Sequence, residues 1–378
     1  SGNINANISG GTIKVEGNWT SSGSGFDPTG GTVEFSGSVA QAISLASGNN
    51  FYDLKINNSH PSDKVSAQGS ALVVSNHLNI ADGIFESASD YHDVTIASGA
   101  TLELNGDITV SGDWTNNGTF NPSTHGVTFD GSSTQSMSGN NTFYDLTINK
   151  SSDEIIIGSN NTNITVLNHL FLNQGNFNLN TNSLFLSSYA PSWANVSNTS
   201  NSSHTYNGKV VHLPHPNPVT YPCGDGTNYR PITLLSNGYN VLVSYLFANQ
   251  NQGSLNSSLS SIETYGWDIQ DADYGGTASA NITIPFDASY GITDFNNLTI
   301  AMFDGTDWTE LPSTVTGTAA SGSITTNSSV NLGYYPSSAN RYFALGYKST
   351  INADFSADAT SVCQGTTVNF TDASTGTP

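Results

Sequence analysis

Short alternating triplets run through the first half of this chain, each with two apolar residues around a polar one. Examples are Ile13-Lys14-Val15, Val33-Glu34-Phe35, Leu54-Lys55-Ile56 and Val94-Thr95-Ile96. A period of two predicts β-strands with one buried face. Many triplets start about 20 residues apart, with Gly and Asn between them. This spacing favours a parallel β-solenoid over residues 1–190, in which each turn stacks on the previous one, rather than a sandwich of hairpins.

A longer repeat overlies these triplets. The stretch from Gly17 to Asn57 returns from Gly112 to Asn149, keeping Gly-Asn/Asp-Trp, Val-x-Phe-x-Gly, a Gln and Phe-Tyr-Asp-Leu-x-Ile-Asn. The offset drifts from 95 residues (112 − 17) to 92 (149 − 57), so few insertions separate two ~93-residue copies. The recurring Asn and His residues are predicted to be structural. Stacked amides can hydrogen-bond along a solenoid, and Asn tolerates left-handed corners.

The second half of the chain has a different pattern. Prolines cluster between Pro214 and Pro231, the apolar stretches lengthen, and Asp304-Gly305 predicts a hairpin turn. We predict a junction at residues 191–204 and an antiparallel β-sandwich at 205–349, without helices. Tyr265, Trp267 and Ile269 would share one strand face and fill the core. The alternative for these three is an exposed platform that stacks on carbohydrate.

Composition narrows the possible partners. The 378 residues contain 8 Lys and Arg against 29 Asp and Glu, a net charge of −21. So few cations cannot neutralise a run of phosphates, which excludes nucleic-acid binding and attraction to an anionic membrane. No apolar run reaches the roughly 20 residues that a membrane-spanning helix needs. The chain begins at Ser1 without a leader, so we expect a mature product or a fragment.

Two cysteines, Cys223 and Cys363, are too few for a disulfide framework. They are also too far apart in sequence for a metal-binding pair. They could bridge each other, or Cys223 could be buried alone while Cys363 pairs with a partner beyond this chain. The sequence leaves their pairing open.

The sequence contains few of the residues that a polysaccharide lyase or a glycosidase would need. A polysaccharide lyase needs cations facing its substrate, and residues 1–190 offer only Lys14, Lys55, Lys64 and Lys150, which we expect mainly on a solvated face. A glycosidase needs two carboxylates roughly 5–10 Å apart. Asp53 and Asp145 are equivalent positions of the repeat, which indicates a scaffold role. We therefore predict no catalytic residue and no cofactor.

Calcium is the one metal the sequence suggests. Asp268, Asp271 and Asp273 lie in a stretch that reads Asp-x-x-Asp-x-Asp-Tyr-Gly, similar to the start of an oxygen-ligand loop. The later acidic ligand of a complete loop is missing, so an ordinary acidic turn is the alternative. Asp225 and Asp304, each next to a glycine, are predicted to be turn residues.

The end of the chain resembles a known module. Ala353-Asp-Phe-Ser-Ala357 followed by 362–376 resembles the opening strands of a PKD (polycystic kidney disease) domain, a small Ig-like sandwich. The resemblance covers only the first third of such a domain. It implies that residues 350–378 are a truncated start and that the natural chain continues.

The order of modules resembles the giant multi-domain cell-surface proteins of Bacteroidota, including gliding-motility adhesins exported by the type IX system. The resemblance rests on the repeat motifs, on Gly224-Asp-Gly-Thr-Asn-Tyr-Arg-Pro231 and on the PKD-like opening. It implies a secreted, non-catalytic structural or adhesive segment, serving as stalk or tip. Its partners would be neighbouring domains of the same polypeptide, and surface glycans or other cell-surface proteins. The alternatives are a β-helix polysaccharide-active enzyme and a self-assembling filament subunit, because solenoid ends expose unpaired strands.

Overall fold

The computed structural model describes residues 10–21, 26–68, 72–158, 163–187, 195–198, 203–212, 217–237, 241–246, 253–271, 278–332, 341–350 and 355–374. Within these ranges the secondary structure consists of strands and two single-turn 3₁₀ segments, Ala288–Tyr290 and Phe295–Asn297. None of the helical segments described is long and apolar enough to cross a bilayer. The chain divides into two compact units, residues 1–213 with 222–229, and residues 214–221 with 230–378.

The first unit is a parallel β-solenoid of about eight turns. Apolar side chains at alternate positions point inward, so that strands such as Thr101–Leu104 alternate between half-buried and buried residues. Its strands are β1 (Thr12–Val15), β2 (Trp19–Thr20), β3 (Thr32–Phe35), β4 (Gln41–Ser44), β5 (Phe51–Asn57), β6 (Lys64–Gln68), β7 (Val73–Asp82), β8 (Ile84–Ser87), β9 (Asp90–Ile96), β10 (Thr101–Leu104), β11 (Ile108–Val110), β12 (Trp114–Asn116), β13 (Thr119–Asn121), β14 (Gly126–Phe129), β15 (Gln135–Ser138), β16 (Asn141–Ile157), β17 (Ile164–Asn178), β18 (Ser183–Leu186), β19 (Asn195–Asn198), β20 (Thr205–Tyr206) and β21 (Lys209–His212).

Parallel pairing arranges these strands in ladders along the solenoid. One ladder joins, in register, Val33, Leu54, Leu78, Val94 and Trp114. A second is the six-stranded sheet β2-β4-β6-β8-β10-β13, where Trp19 pairs with Ile43. A third joins Ile108, Val127, Leu146, Leu170 and Val196. The predicted solenoid is therefore confirmed.

The ~93-residue sequence repeat does not contain a whole number of turns. Trp19 lies in the six-stranded sheet, whereas its equivalent Trp114 lies in the ladder that holds Val33 in the first copy. Val33 pairs with Ile13, whereas its equivalent Val127 belongs to the third ladder. The second copy is consequently rotated onto the next face of the solenoid.

Both copies nevertheless contain the same aromatic cluster. The ring centroids of Trp19 and Phe26 are 5.1 Å apart, and those of their equivalents Trp114 and Phe120 are 5.0 Å apart. Phe51 in the first copy and Phe143 in the second complete the clusters. Equivalent residues keep their packing because each cluster forms inside the solenoid, between neighbouring turns.

The solenoid extends further than the sequence predicts. Residues 191–204, expected to be a junction, contain β19, and β20 and β21 lie within the range predicted as sandwich. All three strands pair in parallel with β17 or β18. The predicted boundary at residue 190 is thus too early. The Asn- and Ser-rich composition of this stretch resembles a linker, but β19 pairs Val196 with Leu170 as earlier turns do.

A loop of residues 222–229 continues one ladder beyond β20. Thr205 bridges Cys223 in parallel, its N–H donates to the Pro222 carbonyl (2.7 Å), and Gly224 N–H donates back to the Thr205 carbonyl (3.0 Å). Gly226 N–H donates to His204 Nε2 (3.0 Å). The backbone N–H and carbonyl of Thr205 are therefore already paired on this side.

Antiparallel sheets make up most of the second unit. The strands of this unit are β22 (Val219–Tyr221), β23 (Ile232–Ser236), β24 (Val241–Leu246), β25 (Ser254–Leu255), β26 (Leu259–Asp271), β27 (Ser279–Asp287), β28 (Leu298–Phe303), β29 (Asp307–Leu311), β30 (Ser313–Thr318), β31 (Ser321–Thr326), β32 (Val330–Asn331), β33 (Tyr342–Lys348), β34 (Phe355–Ala357) and β35 (Phe370–Asp372). One sheet has the order β22-β23-β27-β31-β30, with β32 beside β27. The other sheet joins β24, β26, β33, β28 and β29 in antiparallel pairs, with β25 parallel to β29.

Trp267 and Ile269 are fully buried, as the core interpretation predicts. Tyr265 is half-buried, and the Arg230 guanidinium lies 5.2 Å from its ring centroid. The Trp267 indole donates to the Arg230 carbonyl (2.9 Å). These contacts argue against the exposed carbohydrate platform considered for the three residues.

Candidate functional site

The repeated glutamine joins neighbouring turns of the solenoid in both copies. Gln41 Nε2 donates to the carbonyls of Val15 (3.0 Å) and Gly17 (2.8 Å), while its Oε1 accepts the Gly37 N–H (3.1 Å). Gln135 makes the equivalent contacts with Val110, Gly112 and Gly131. Both side chains are buried. Each of these amides bonds backbone groups from two parts of a corner, in addition to the hydrogen bonds of the strand ladders.

The repeated carboxylates and amides also connect turns. Asn18 Oδ1 accepts the Ala42 N–H (2.8 Å), and its equivalent Asp113 accepts the Ser136 N–H (2.7 Å). Asp53 Oδ1 accepts from Asn76 Nδ2 at 2.6 Å. In the second copy Asp145 Oδ1 accepts from Asn168 Nδ2 at 2.7 Å.

The two carboxylates considered for a glycosidase are therefore part of the scaffold. Asp53 stands opposite His77 in one ladder, and Asp145 stands opposite His169 in another. They do not form the closely spaced pair that glycoside hydrolysis requires. His77 lies 2.9 Å from Thr95 Oγ1 through its Nε2, whereas the His169 ring stacks on Phe171.

The lysines expected on a solvated face are mostly paired with carboxylates. Lys55 forms an ion pair with Glu34 (3.3 Å), and Lys14 stands opposite Glu34 in register. Lys64 bridges Glu86 (2.9 Å) and Glu103 (2.8 Å) on successive turns. The hydrogen bond from Lys64 lowers the pKa of Glu86. Glu86 and Glu103 stand directly opposite each other in register, and the Lys64 ammonium offsets the repulsion between them.

Lys150 departs from the sequence expectation because it is fully buried. Its Nζ donates to the carbonyls of Gly131 (2.9 Å) and Ser133 (2.7 Å) and to Gln135 Oε1 (2.7 Å). The equivalent residue in the first copy is Asn58, whose Nδ2 donates to Val39 O (2.8 Å) and Gln41 Oε1 (3.0 Å). Lys150 therefore replaces an amide donor inside the corner.

The calcium candidate is only partly within the described residues. Asp268 and Asp271 are buried at the end of β26, while Asp273 lies outside the described residues. Asp268 Oδ1 accepts from Gln270 Nε2 (2.6 Å), and Asp271 Oδ2 accepts the Ala278 N–H (3.2 Å). The described residues contain no group of three His, Cys, Asp or Glu side chains able to hold a metal. The calcium site stays a prediction.

The remaining sequence candidates have local roles. Asp225 Oδ1 accepts the N–H groups of Thr227 and Asn228, and Asp304 Oδ1 accepts those of Thr306 and Asp307. Both are turn residues, as predicted. Cys223 is buried and Cys363 is exposed, and the two do not form a disulfide with each other.

One outward-facing row of side chains was not anticipated from the sequence. We call it the outer row, and it crosses five consecutive turns in register through Asp90, Thr109, Thr128, Thr147 and Phe171. At about 4.8 Å per strand, it is about 19 Å long. Part of its signal was available in the sequence, because Thr109, Thr128 and Thr147 are each the polar middle residue of an alternating triplet. Their alignment depends on how the turns stack.

Comparison with known proteins gives no relative that would assign a role to these residues. No family model, curated protein or solved structure matches the chain.

Proposed function

We propose that this chain is a non-catalytic structural and adhesive segment of a long secreted cell-surface protein, similar in kind to the multi-domain surface adhesins of Bacteroidota. The observation that carries the proposal is the use made of the repeated polar residues. Gln41 and Gln135, Asn18 and Asp113, and the Asp–Asn pairs all bond one turn to another. Duplicated residues with this role build length and stiffness rather than a reaction centre.

The electrostatics support the same proposal. A lyase acting on acidic glycans needs cations that face its substrate, yet Lys55 and Lys64 are paired with glutamates and Lys150 is buried. The chain carries 29 carboxylates, which repel anionic substrates. An acidic surface of this kind suits a soluble extracellular stalk.

Turnover of glycans by the full chain is the deciding test. We expect no product from a broad panel of neutral and acidic polysaccharides over hours at micromolar protein. Asp53→Asn and Asp145→Asn variants provide the control, since both amides can still accept the neighbouring asparagine's hydrogen bond. Sustained turnover by the wild type that either variant abolishes would overturn the proposal and favour the β-helix enzyme.

Self-assembly into a filament is the second candidate, and the loop at residues 222–229 bears on it. This loop pairs with Thr205 through Cys223 and Gly224, so part of the last turn is already covered. Covered edges disfavour end-to-end stacking. Light scattering across protein concentrations is expected to show a monomer, and growth in mass with concentration would support the filament instead.

We further propose that the two antiparallel sheets pack as a β-sandwich and that residues 350–378 begin a PKD-like domain. In support of the sandwich, the Tyr221 hydroxyl at the edge of one sheet donates to the Val241 carbonyl of the other (3.3 Å).

In support of the PKD-like domain, β34 and β35 pair antiparallel, with Phe355 and Phe370 each 67% exposed. An isolated pair of strands is marginally stable. Further strands covering these rings would complete a domain.

A further inference from the structure

We propose that the outer row, together with Asp145 and His169 beside it, is a binding site for an uncharged, hydroxyl-rich glycan. This inference rests on the adhesive role proposed above and names its ligand class. The row runs along the outside of β11, β14, β16 and β17, starting from Asp90 on β9.

The first argument is the aromatic end of the row. Phe171 is half-buried on the outer side of β17, and its ring stacks on His169 with centroids 3.9 Å apart and planes 6° from parallel. Burial lowers the pKa of His169, which favours the uncharged form of its ring. Two uncharged, parallel rings at a surface offer apolar contact to the C–H faces of a sugar.

The second argument is the set of hydrogen-bonding groups beside these rings. Asp145 stands opposite His169, and Asn168 Nδ2 holds its Oδ1 at 2.7 Å. A carboxylate oriented in this way leaves its second oxygen able to accept hydroxyl hydrogens, which form strong charge-assisted bonds. Thr128 and Thr147 follow along the row with hydroxyls that both donate and accept.

The third argument comes from comparing the two copies of the repeat. The positions equivalent to Thr128, Thr147 and Phe171 hold Glu34, Lys55 and Asn79 in the first copy, and these three also align in one ladder. The same strand motif therefore carries a charged and polar row in one copy and an uncharged row with an aromatic residue in the other. The motif itself does not demand an aromatic residue at position 171, so the presence of Phe171 calls for another explanation.

The charge of the row selects the ligand class. Asp90 in the row and Asp145 beside it provide negative charge. The outer row and the two positions beside it, 145 and 169, contain no Lys or Arg. Uronic-acid polymers would be repelled, whereas neutral glycans supply the hydroxyl donors that carboxylates accept.

Affinity gel electrophoresis of the full chain tests the proposal. The probes are laminarin, yeast mannan and dextran as neutral glycans and alginate as the anionic counterpart. Phe171→Asn introduces the side chain that the first copy carries at this position. Asn79→Ala alters that first-copy position and serves as the matched control. Thermal unfolding of each variant shows whether the solenoid is intact.

We expect the wild type to bind at least one neutral glycan more strongly than alginate. Phe171→Asn should weaken this binding about threefold to tenfold at unchanged unfolding temperature, while Asn79→Ala binds like the wild type. Binding of none of the three neutral glycans, stronger binding of alginate, or equal binding by Phe171→Asn would overturn the inference. None of these results would affect the non-catalytic role, which is judged separately by the lack of turnover.

Discussion

Replacing the buried Lys150 by methionine tests how the corners of the solenoid are held. The methionine side chain has a similar length and fills much of the same volume, but it donates no hydrogen bond. The carbonyls of Gly131 and Ser133 would lose the lysine donor, while Gln135 Oε1 would keep the Gly131 N–H. The perturbation therefore removes polar contacts while disturbing the packing little.

The expected loss follows from the two carbonyls. A buried acceptor left without a donor costs roughly 1–3 kcal/mol. Burying an ammonium group is itself unfavourable, and the substitution removes that cost. Taking the lower value for each carbonyl gives a destabilisation of about 2 kcal/mol. In a unit of this size that corresponds to a fall in unfolding temperature of roughly 4–8 °C.

Lys150→Asn is the matched control, because Asn58 occupies the equivalent corner. Asn58 reaches Val39 O and Gln41 Oε1, which correspond to Ser133 O and Gln135 Oε1. An asparagine at position 150 should therefore leave one oxygen without a donor and cost about 1 kcal/mol. Calorimetry and circular dichroism of the solenoid transition measure both variants. The reasoning fails if Lys150→Met unfolds at the wild-type temperature, or if both variants lose equal stability.

Three other predictions follow from individual contacts. In denaturant unfolding, Trp114→Phe should lower the free energy of unfolding by about 1 kcal/mol more than Trp19→Phe does. Of these two indoles, Trp114 alone has a hydrogen-bond partner among the described residues. Equal losses would contradict this prediction. The pKa of Glu86 is lowered by Lys64, so its contribution to stability is complete above the usual glutamate pKa and is lost as the pH falls through the folded-state value. Acid unfolding of Lys64→Met should lack this contribution, and an unchanged pH profile would argue against it. If segment 268–273 binds Ca²⁺, millimolar Ca²⁺ should raise the unfolding temperature above that in NaCl of equal ionic strength. The corresponding gain in the free energy of unfolding is about 2–3 kcal/mol at 100-fold excess over Kd. Equal midpoints in the two salts would leave charge screening as the only effect.

Much of the polar scaffold could be anticipated from the sequence, but its partners could not. The repeat indicates a scaffold role for Asp53 and Asp145, and the structure places each in a bond between turns. Gln41 and Gln135 also recur in the repeat, and the structure shows that they join turns as well. Lys150 was expected at the surface, since an isolated lysine is normally solvated. Its burial depends on three oxygens from an adjacent loop, and their positions are set only when one turn stacks on another.

The sequence by itself indicated that the first unit is a solenoid, because a period of two decides locally which side chains face inward and a spacing of about 20 residues matches stacked turns. It did not determine which strand lies above which. That depends on the summed lengths of all intervening strands and corners, which place Trp114 in the ladder of Val33 rather than in that of Trp19. For the same reason only the tertiary structure brings Thr109, Thr128, Thr147 and Phe171 into one row, since stacking aligns residues that lie some 20 positions apart in the chain.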